Sequence, residues 1–291
     1  MDIGKVGIWT FTLGLRPAKQ AQELAAEIEA LGYSTIWMPG GDALVTSALI
    51  LSATKRINVA TGIASVWSRD ATTMAAGQAI LAEAFPDRFL LGIGVSHAPV
   101  VAMLGHTYEK PYTRMREYLD GMDRAFLMTP KPAIPPTRVL AALGPKMIRL
   151  AAERAAGAHP YFTTPEHTRF ARQIMGPGPI LAPEQAVVLE ADPSRARQIA
   201  RGYMHIYLGL ENYTNMLRRL GFGDDDFRNG GSDRLVDAVV AWGDGDAIAR
   251  RVQEHHAAGA DHVCIQVISA DGRAAPLQEW RELAPALGVK P

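Results

Sequence analysis

One cysteine in 291 residues, Cys264, leaves no partner for an internal disulfide and no basis for a multi-cysteine metal site. Charge of one sign is missing too: 30 Lys and Arg offset 30 Asp and Glu, so no overall field draws the chain to nucleic acid or an anionic membrane. No apolar run approaches the roughly 20 residues that span a bilayer. Asp2, Lys5 and Arg16 interrupt the start, so the charged-then-apolar pattern of a secretory signal is absent. The sequence has neither a Gly-x-Ser-x-Gly elbow nor a Walker-type phosphate loop. His255 and His256 are adjacent and cannot share one helical face, so no metal pair is expected there. These absences point to a cytoplasmic protein with a small-molecule partner and no metal.

What is present is a large apolar fraction, 48% of the residues, and a recurring phrase. "AQELAAEIEALGYSTIWM", "IRLAAERAAGAHPYF" and "AIARRVQEHHAAGADHVCIQV" each run an amphipathic helix pattern into a glycine and then into a short apolar stretch. The glycines, Gly32, Gly157 and Gly259, suit the left-handed position that ends a helix. Strands are expected near 5–10, 34–38, 57–63, 89–95, 138–143, 158–162, 185–190 and 261–267. Strands alternating with helices pair in parallel through right-handed crossovers, and eight of them close a barrel. The expected fold is α/β, a single (β/α)8 TIM-type barrel domain over 1–291. Between the seventh and eighth strands, "GYMHIYLGLENYTNMLRRLGF" and "FGDDDFRNGGSD" read as a helical insertion, because Tyr, Leu and Met recur there at helical spacing. "TPKPAIPPT", 129–137, reads as an extended surface loop.

The stretch "RFLLGIGVSH", 88–97, poses the functional question. Its Gly92-Ile93-Gly94 follows an apolar strand, as a dinucleotide-binding turn does, but the third glycine of that fingerprint would fall at His97. Pro99 then follows too soon for the required helix start. In a barrel, glycines within a strand admit close neighbours, and residues just past the strand's C-terminal end face the pocket. His97 is therefore a candidate acid or base, with an ordinary pKa near 6.5, set against the alternative of a surface histidine on a loop.

"VGIWTF", "LGYSTIWMP", "INVATGIASVWSRD", "AILAEAFPDRFLLGIGVSHAP", "RVLAALGPKM" and "VVAWGDGDAIARRV" ahead of "AGADHVCIQV" resemble, in this order and spacing, the luciferase-like monooxygenase superfamily. They are closer still to its branch that uses the deazaflavin coenzyme F420, and the resemblance runs from about residue 3 to 270. It implies an oxidoreductase that transfers a hydride between F420 and a small organic substrate, and a homodimer. An FMN-dependent monooxygenase is the alternative, followed by a barrel relative that only binds a ligand. The resemblance also implies site residues. Gly62, Ile63 and Ala64 match a third-strand bulge, often carrying a non-proline cis peptide, that backs the deazaflavin ring. Gly144, Pro145 and Lys146 match the loop that contacts the phosphate-bearing tail, where main-chain N–H groups at a helix start suit an anion. His97 is placed beside the ring, with Trp9, Thr10, Trp67 and Tyr161 as pocket residues and Arg69 and His159 as further candidates. One departure matters. Relatives acting on sugar phosphate carry Asp-His after the second strand, where this chain has Met38, Pro39, Gly40 and Gly41, and their general-acid glutamate falls at His97. That activity is not expected here.

Overall fold

Short runs of β-branched and aromatic residues alternate with helices along the whole chain, and every strand pairing they make is parallel. The computed structural model describes residues 1–270, 272 and 274–291. Its strands are β1 (Val6–Trp9), β2 (Thr35–Met38), β3 (Asn58–Thr61), β4 (Ala64–Ser65), β5 (Phe89–Gly94) and β6 (Thr137–Leu140). They continue as β7 (Gly157–Ala158), β8 (Ile180–Leu181), β9 (Glu184–Val188), β10 (Val240–Trp242) and β11 (Val263–Val267). The sheet runs β10-β9-β11-β1-β2-β3-β5-β6-β7-β8, with β4 added beside β5. Trp9 lies opposite Trp37, Val59 opposite Phe89 and Leu140 opposite Ala158.

The sheet curls back on itself because β8 and β9 form one extended run broken at Ala182–Pro183. Before the break, Ala182 N–H donates to Ala158 O at 2.9 Å; after it, Cys264 N–H donates to Pro183 O at 3.1 Å. Side chains alternate between two buried faces, as a sheet covered on both sides requires. Trp37, Ala60, Leu90, Val139 and Cys264 gather on one face. Their chain neighbours Ile36, Val59, Leu91 and Leu140 join the larger cluster with helix residues such as Ile28, Ile50 and Leu119. Side-chain caps fix several helix starts: Asp42, Asp70, Thr164, Asp192 and Asp244 each accept an N–H three residues on.

The expectations need correcting in three places. The sixth strand spans Gly157–Ala158 and not 158–162, because Pro160 has no N–H to give a ladder. Gly32 and Gly259 have the expected positive φ of 91° and 104°, but Gly157 belongs to a strand, where a Cβ would run into the Ile180 carbonyl. Beyond the expected helical insertion and before the eighth expected strand lies an additional strand, β10, which pairs with β9. Val240 both ends the helix Asp233–Val239 and begins the strand, with no glycine or proline between them to mark the change. The helices Pro193–Leu208, Glu211–Arg219 and Asp233–Val239 share their own apolar cluster, built on Met204, Tyr213, Leu217 and Leu235, over the β9 residue Val188.

Candidate active site

The strand ends on one rim hold most of the candidate residues. The bulge between β3 and β4 is formed by Gly62 and Ile63, whose peptide bond is cis, at the position the resemblance implied. Two polar atoms back onto Gly62. A Cβ added there would lie 2.6 Å from Trp9 Nε1 and 3.3 Å from His159 Nε2. Both atoms are buried and have no hydrogen-bond partner among the described residues. His159 Nδ1–H donates to Ala182 O at 2.7 Å, so its Nε2 bears a lone pair, and burial pushes its pKa down to about 4. Trp9 Nε1 is a donor. A complementary donor and acceptor thus flank a residue without a side chain.

Next to the bulge, Ile63 covers β5. A Cβ on Gly94 would meet Ile63 Cγ1 at 2.8 Å and Ala141 Cβ at 3.0 Å, and one on Gly92 would run into the Thr61 carbonyl oxygen. Thr61 Oγ1 ties the two strands further, donating to Gly92 O at 2.6 Å. The glycines of "LLGIG" are therefore packing positions that keep β5 close to β3, which accounts for them without a dinucleotide turn. His97 follows as the N-cap residue of the helix Ala98–Met103. Its ring is half-buried, 5.4 Å from the Tyr213 ring, and its Nδ1 has no partner. Burial holds the imidazole below its ordinary 6.5, against an upward pull from the Asn212 side chain. It is neutral at neutral pH and able to accept a proton.

Tyr161, beyond β7, is bound into a hydroxyl cluster. Its hydroxyl donates to Gln266 Oε1 at 2.8 Å and meets the Tyr207 hydroxyl at 2.8 Å and the Tyr203 hydroxyl at 3.1 Å. Its ring packs 4.8 Å from Trp9 and 6.3 Å from Tyr213, so an aromatic chain connects Trp9 to His97. Below it, Glu184 is fully buried. Its Oε2 accepts from Phe162 N–H at 3.0 Å, its Oε1 has no partner, and burial lifts its pKa to about 8. A cavity of about 710 Å³ opens between Trp9–Thr12, the helix Pro193–Leu208 and the chain after β11; Trp9, Thr10, Tyr203, Tyr207 and Gln266 line it.

The tail loop lies at the end of β6. Gly144 caps the helix Pro145–Arg154, and Lys146 is exposed at its second position. The Arg219 guanidinium stands 3.9 Å from where a Gly144 Cβ would lie, and it has no ion-pair partner among the described residues. His167 Nε2–H donates to Leu143 O at 2.9 Å beside it. A helix start with two free cations suits an anion.

The structure therefore brings together Trp9, Thr10, Gly62, His159 and Tyr161, and links His97 to them through Tyr213. It does not bring Trp67 among them. That indole donates to Val95 O at 2.9 Å and lies under the Arg114 guanidinium at 4.8 Å. Arg69 is paired with Asp42 at 2.7 Å. Tyr203, Tyr207, Gln266, Glu184 and Arg219 escaped the sequence reading. Only the i, i+4 spacing of Tyr203 and Tyr207 marks a shared helical face in advance.

A family model described as luciferase-like monooxygenase matches residues 5–262. A Mycobacterium tuberculosis protein, whose name ascribes to it coenzyme F420-dependent oxidoreductase activity, is 26% identical over 343 aligned positions, 93% of this chain and 97% of the relative. Among solved structures, the coenzyme F420-dependent tetrahydromethanopterin reductase of Methanopyrus kandleri superposes with a TM-score of 0.74 at 15% identity, covering all of both chains. The oxygenating constituent of 3,6-diketocamphane monooxygenase from Pseudomonas putida, solved with FMN, gives 0.68 at 17% identity over 98% of each chain. At such identities the structural likeness speaks for the fold.

Proposed function

The chain belongs to the luciferase-like monooxygenase family, and from that premise we propose that it is an F420-dependent oxidoreductase transferring a hydride between the deazaflavin and a small organic substrate. The observation that carries this reading is the Gly62–Ile63 bulge with Trp9 Nε1 and His159 Nε2 unpartnered behind it. The relative from Mycobacterium tuberculosis favours the deazaflavin over FMN.

The residues present fit the coenzyme. Gly62, Ile63 and Ala64 would back the ring, and a side chain at position 62 would collide with Trp9 and His159 behind the bulge. The Gly144-Pro145-Lys146 helix start and Arg219 would hold the anionic tail through the main-chain N–H groups that flank Pro145 and through two screened charges. When bound, the coenzyme supplies the carbon that gives or takes the hydride. The protein's own part is to orient, to exclude water and to manage the proton. Trp9 and Tyr161 close one side of the ring's place with apolar surface. The neutral imidazole of His97 would accept the proton that leaves a substrate losing hydride, and in the opposite direction the imidazolium would give it back.

The same reading takes the curled sheet as an eight-stranded barrel, with β8 and β9 as its seventh strand, β11 as its eighth and the helical excursion between them. It also takes the protein as a cytoplasmic homodimer, for which the half-exposed Val45, Leu49 and Ile80 on successive helices offer apolar surface.

Titration of the purified protein with F420 and with FMN, followed by visible absorbance and fluorescence, tests the proposal. Saturable binding of F420 with weaker or no binding of FMN supports it. Tight binding of FMN alone, with oxidation of reduced flavin by dioxygen, replaces it with the monooxygenase reading. Binding of neither leaves a barrel that only takes another ligand.

A further inference from the structure

The hydroxyl cluster at the cavity wall has a fixed set of proton positions. A phenol has one proton to give and can accept on its oxygen. Tyr161 gives its proton to Gln266 Oε1, which can only accept. The contacts from Tyr203 at 3.1 Å and Tyr207 at 2.8 Å must then be donations to the Tyr161 oxygen, which has no second proton to return. Tyr203 and Tyr207 both line the cavity, and with their protons committed inward they have only acceptor capacity left for it. Gln266 lines it as well, with its Oε1 occupied and its amide NH2 still available to donate. The rest of the wall is mainly apolar, including Trp9, Phe11, Ile199, Ile206 and Ile268. Among the described lining residues the one charged side chain is Arg195, 73% exposed and paired with Glu190 at 3.2 Å.

We propose that this cavity takes an uncharged, mainly apolar molecule bearing a hydroxyl group, whose proton goes to Tyr203 or Tyr207 and whose oxygen accepts from the Gln266 amide. Placing that molecule as the hydride partner rests on the reading above, since Trp9 joins the cavity wall to the Gly62–Ile63 bulge. The binding preference itself does not. An ether of the same shape has no proton for the two tyrosines, and a phosphate ester brings charge to a wall that does not compensate it.

Quenching of tryptophan fluorescence, with Trp9 in the wall, reads the binding of three probes: cyclohexanol, methoxycyclohexane and cyclohexyl phosphate. The alcohol should bind roughly three- to tenfold more tightly than the ether, the net worth of one hydrogen bond, and the phosphate most weakly. The double variant Tyr203→Phe, Tyr207→Phe should bring alcohol and ether to equal affinity. Tyr161→Phe should shift the preference toward the ether, because it frees both hydroxyl protons to turn into the cavity; loss of packing alone would weaken both probes alike. Equal binding of alcohol and ether by the native protein, tightest binding of the phosphate, or a preference that survives the double variant overturns the proposal. F420 binding is measured in parallel by its own absorbance. A protein that ignores F420 yet prefers the alcohol refutes the hydride reading and leaves the cavity assignment standing.

Discussion

In the proposed reaction, His97 is the residue that manages the proton. Its ring is neutral, half-buried and set against Asn212 and Tyr213, and its buried Nδ1 has no partner among the described residues. His97→Ala should lower turnover by roughly 10²–10⁴-fold, the usual range for a lost general acid or base, with little change in F420 affinity. His97→Gln keeps a hydrogen bond without a titratable proton. Steady-state rates equal to the native enzyme's in the glutamine variant would make His97 a positioning residue. The same proposal gives Lys146 and Arg219 the anionic tail. Either residue changed to Ala should weaken F420 binding, and the loss should shrink as salt rises, because exposed charges are screened. Unchanged affinity in a fluorescence titration at low salt would remove the tail from this loop.

At the scale of the element, β5 is set by its glycines. Every residue of Phe89–Gly94 is buried, and the strand is held against β3 by Thr61 through Gly92 N–H at 2.8 Å and Gly92 O at 2.6 Å. Gly92→Ala should cost about 1–3 kcal/mol in urea unfolding, because the added methyl meets main chain that cannot rotate away. A native-like unfolding midpoint would show that the two strands can part without loss. The sequence "LLGIGV" made this strand legible through its apolar run, and its two glycines through their spacing. It did not reveal what the glycines faced, since Thr61 meets Gly92 across 31 positions of chain and Ile63 meets Gly94 at a like separation.

For the whole molecule, buried titratable groups set the response to pH. His159, His167 and His262 are held down to about 4 by burial, and His255 to about 3. The unfolded chain takes up protons at these sites below about pH 6.5 while the folded chain does not, so stability is lost as pH falls through this range. Glu184 has the opposite sign. Folded, it keeps its proton to about pH 8; unfolded, it loses it above about 4.5, so its contribution is lost as pH rises toward 8. Calorimetric melting should therefore show greatest stability near pH 6.5. Glu184→Gln should flatten the decline between pH 6.5 and 8 and leave the acid limb in place. A variant with the native alkaline decline would place its cause elsewhere.

The position of the Gly62–Ile63 bulge was implied by the family resemblance of its motif; the sequence by itself determined the alternation of strands and helices, most strand positions, and the two glycines that end helices, Gly32 and Gly259. Those are properties of periodicity and of residues whose backbone preferences act locally. Only the tertiary structure decided which side chains share a site. Trp67 and Trp9 look alike in sequence, each at or just past the end of a strand, yet one is locked to Val95 and Arg114 while the other joins Tyr161 and the cavity. Tyr203, Tyr207, Gln266 and Arg219 come to the rim from a helical excursion and the last strand. Their roles arise from contacts over 42 to 105 positions of chain, set by how the excursion folds back over the rim rather than by any local pattern.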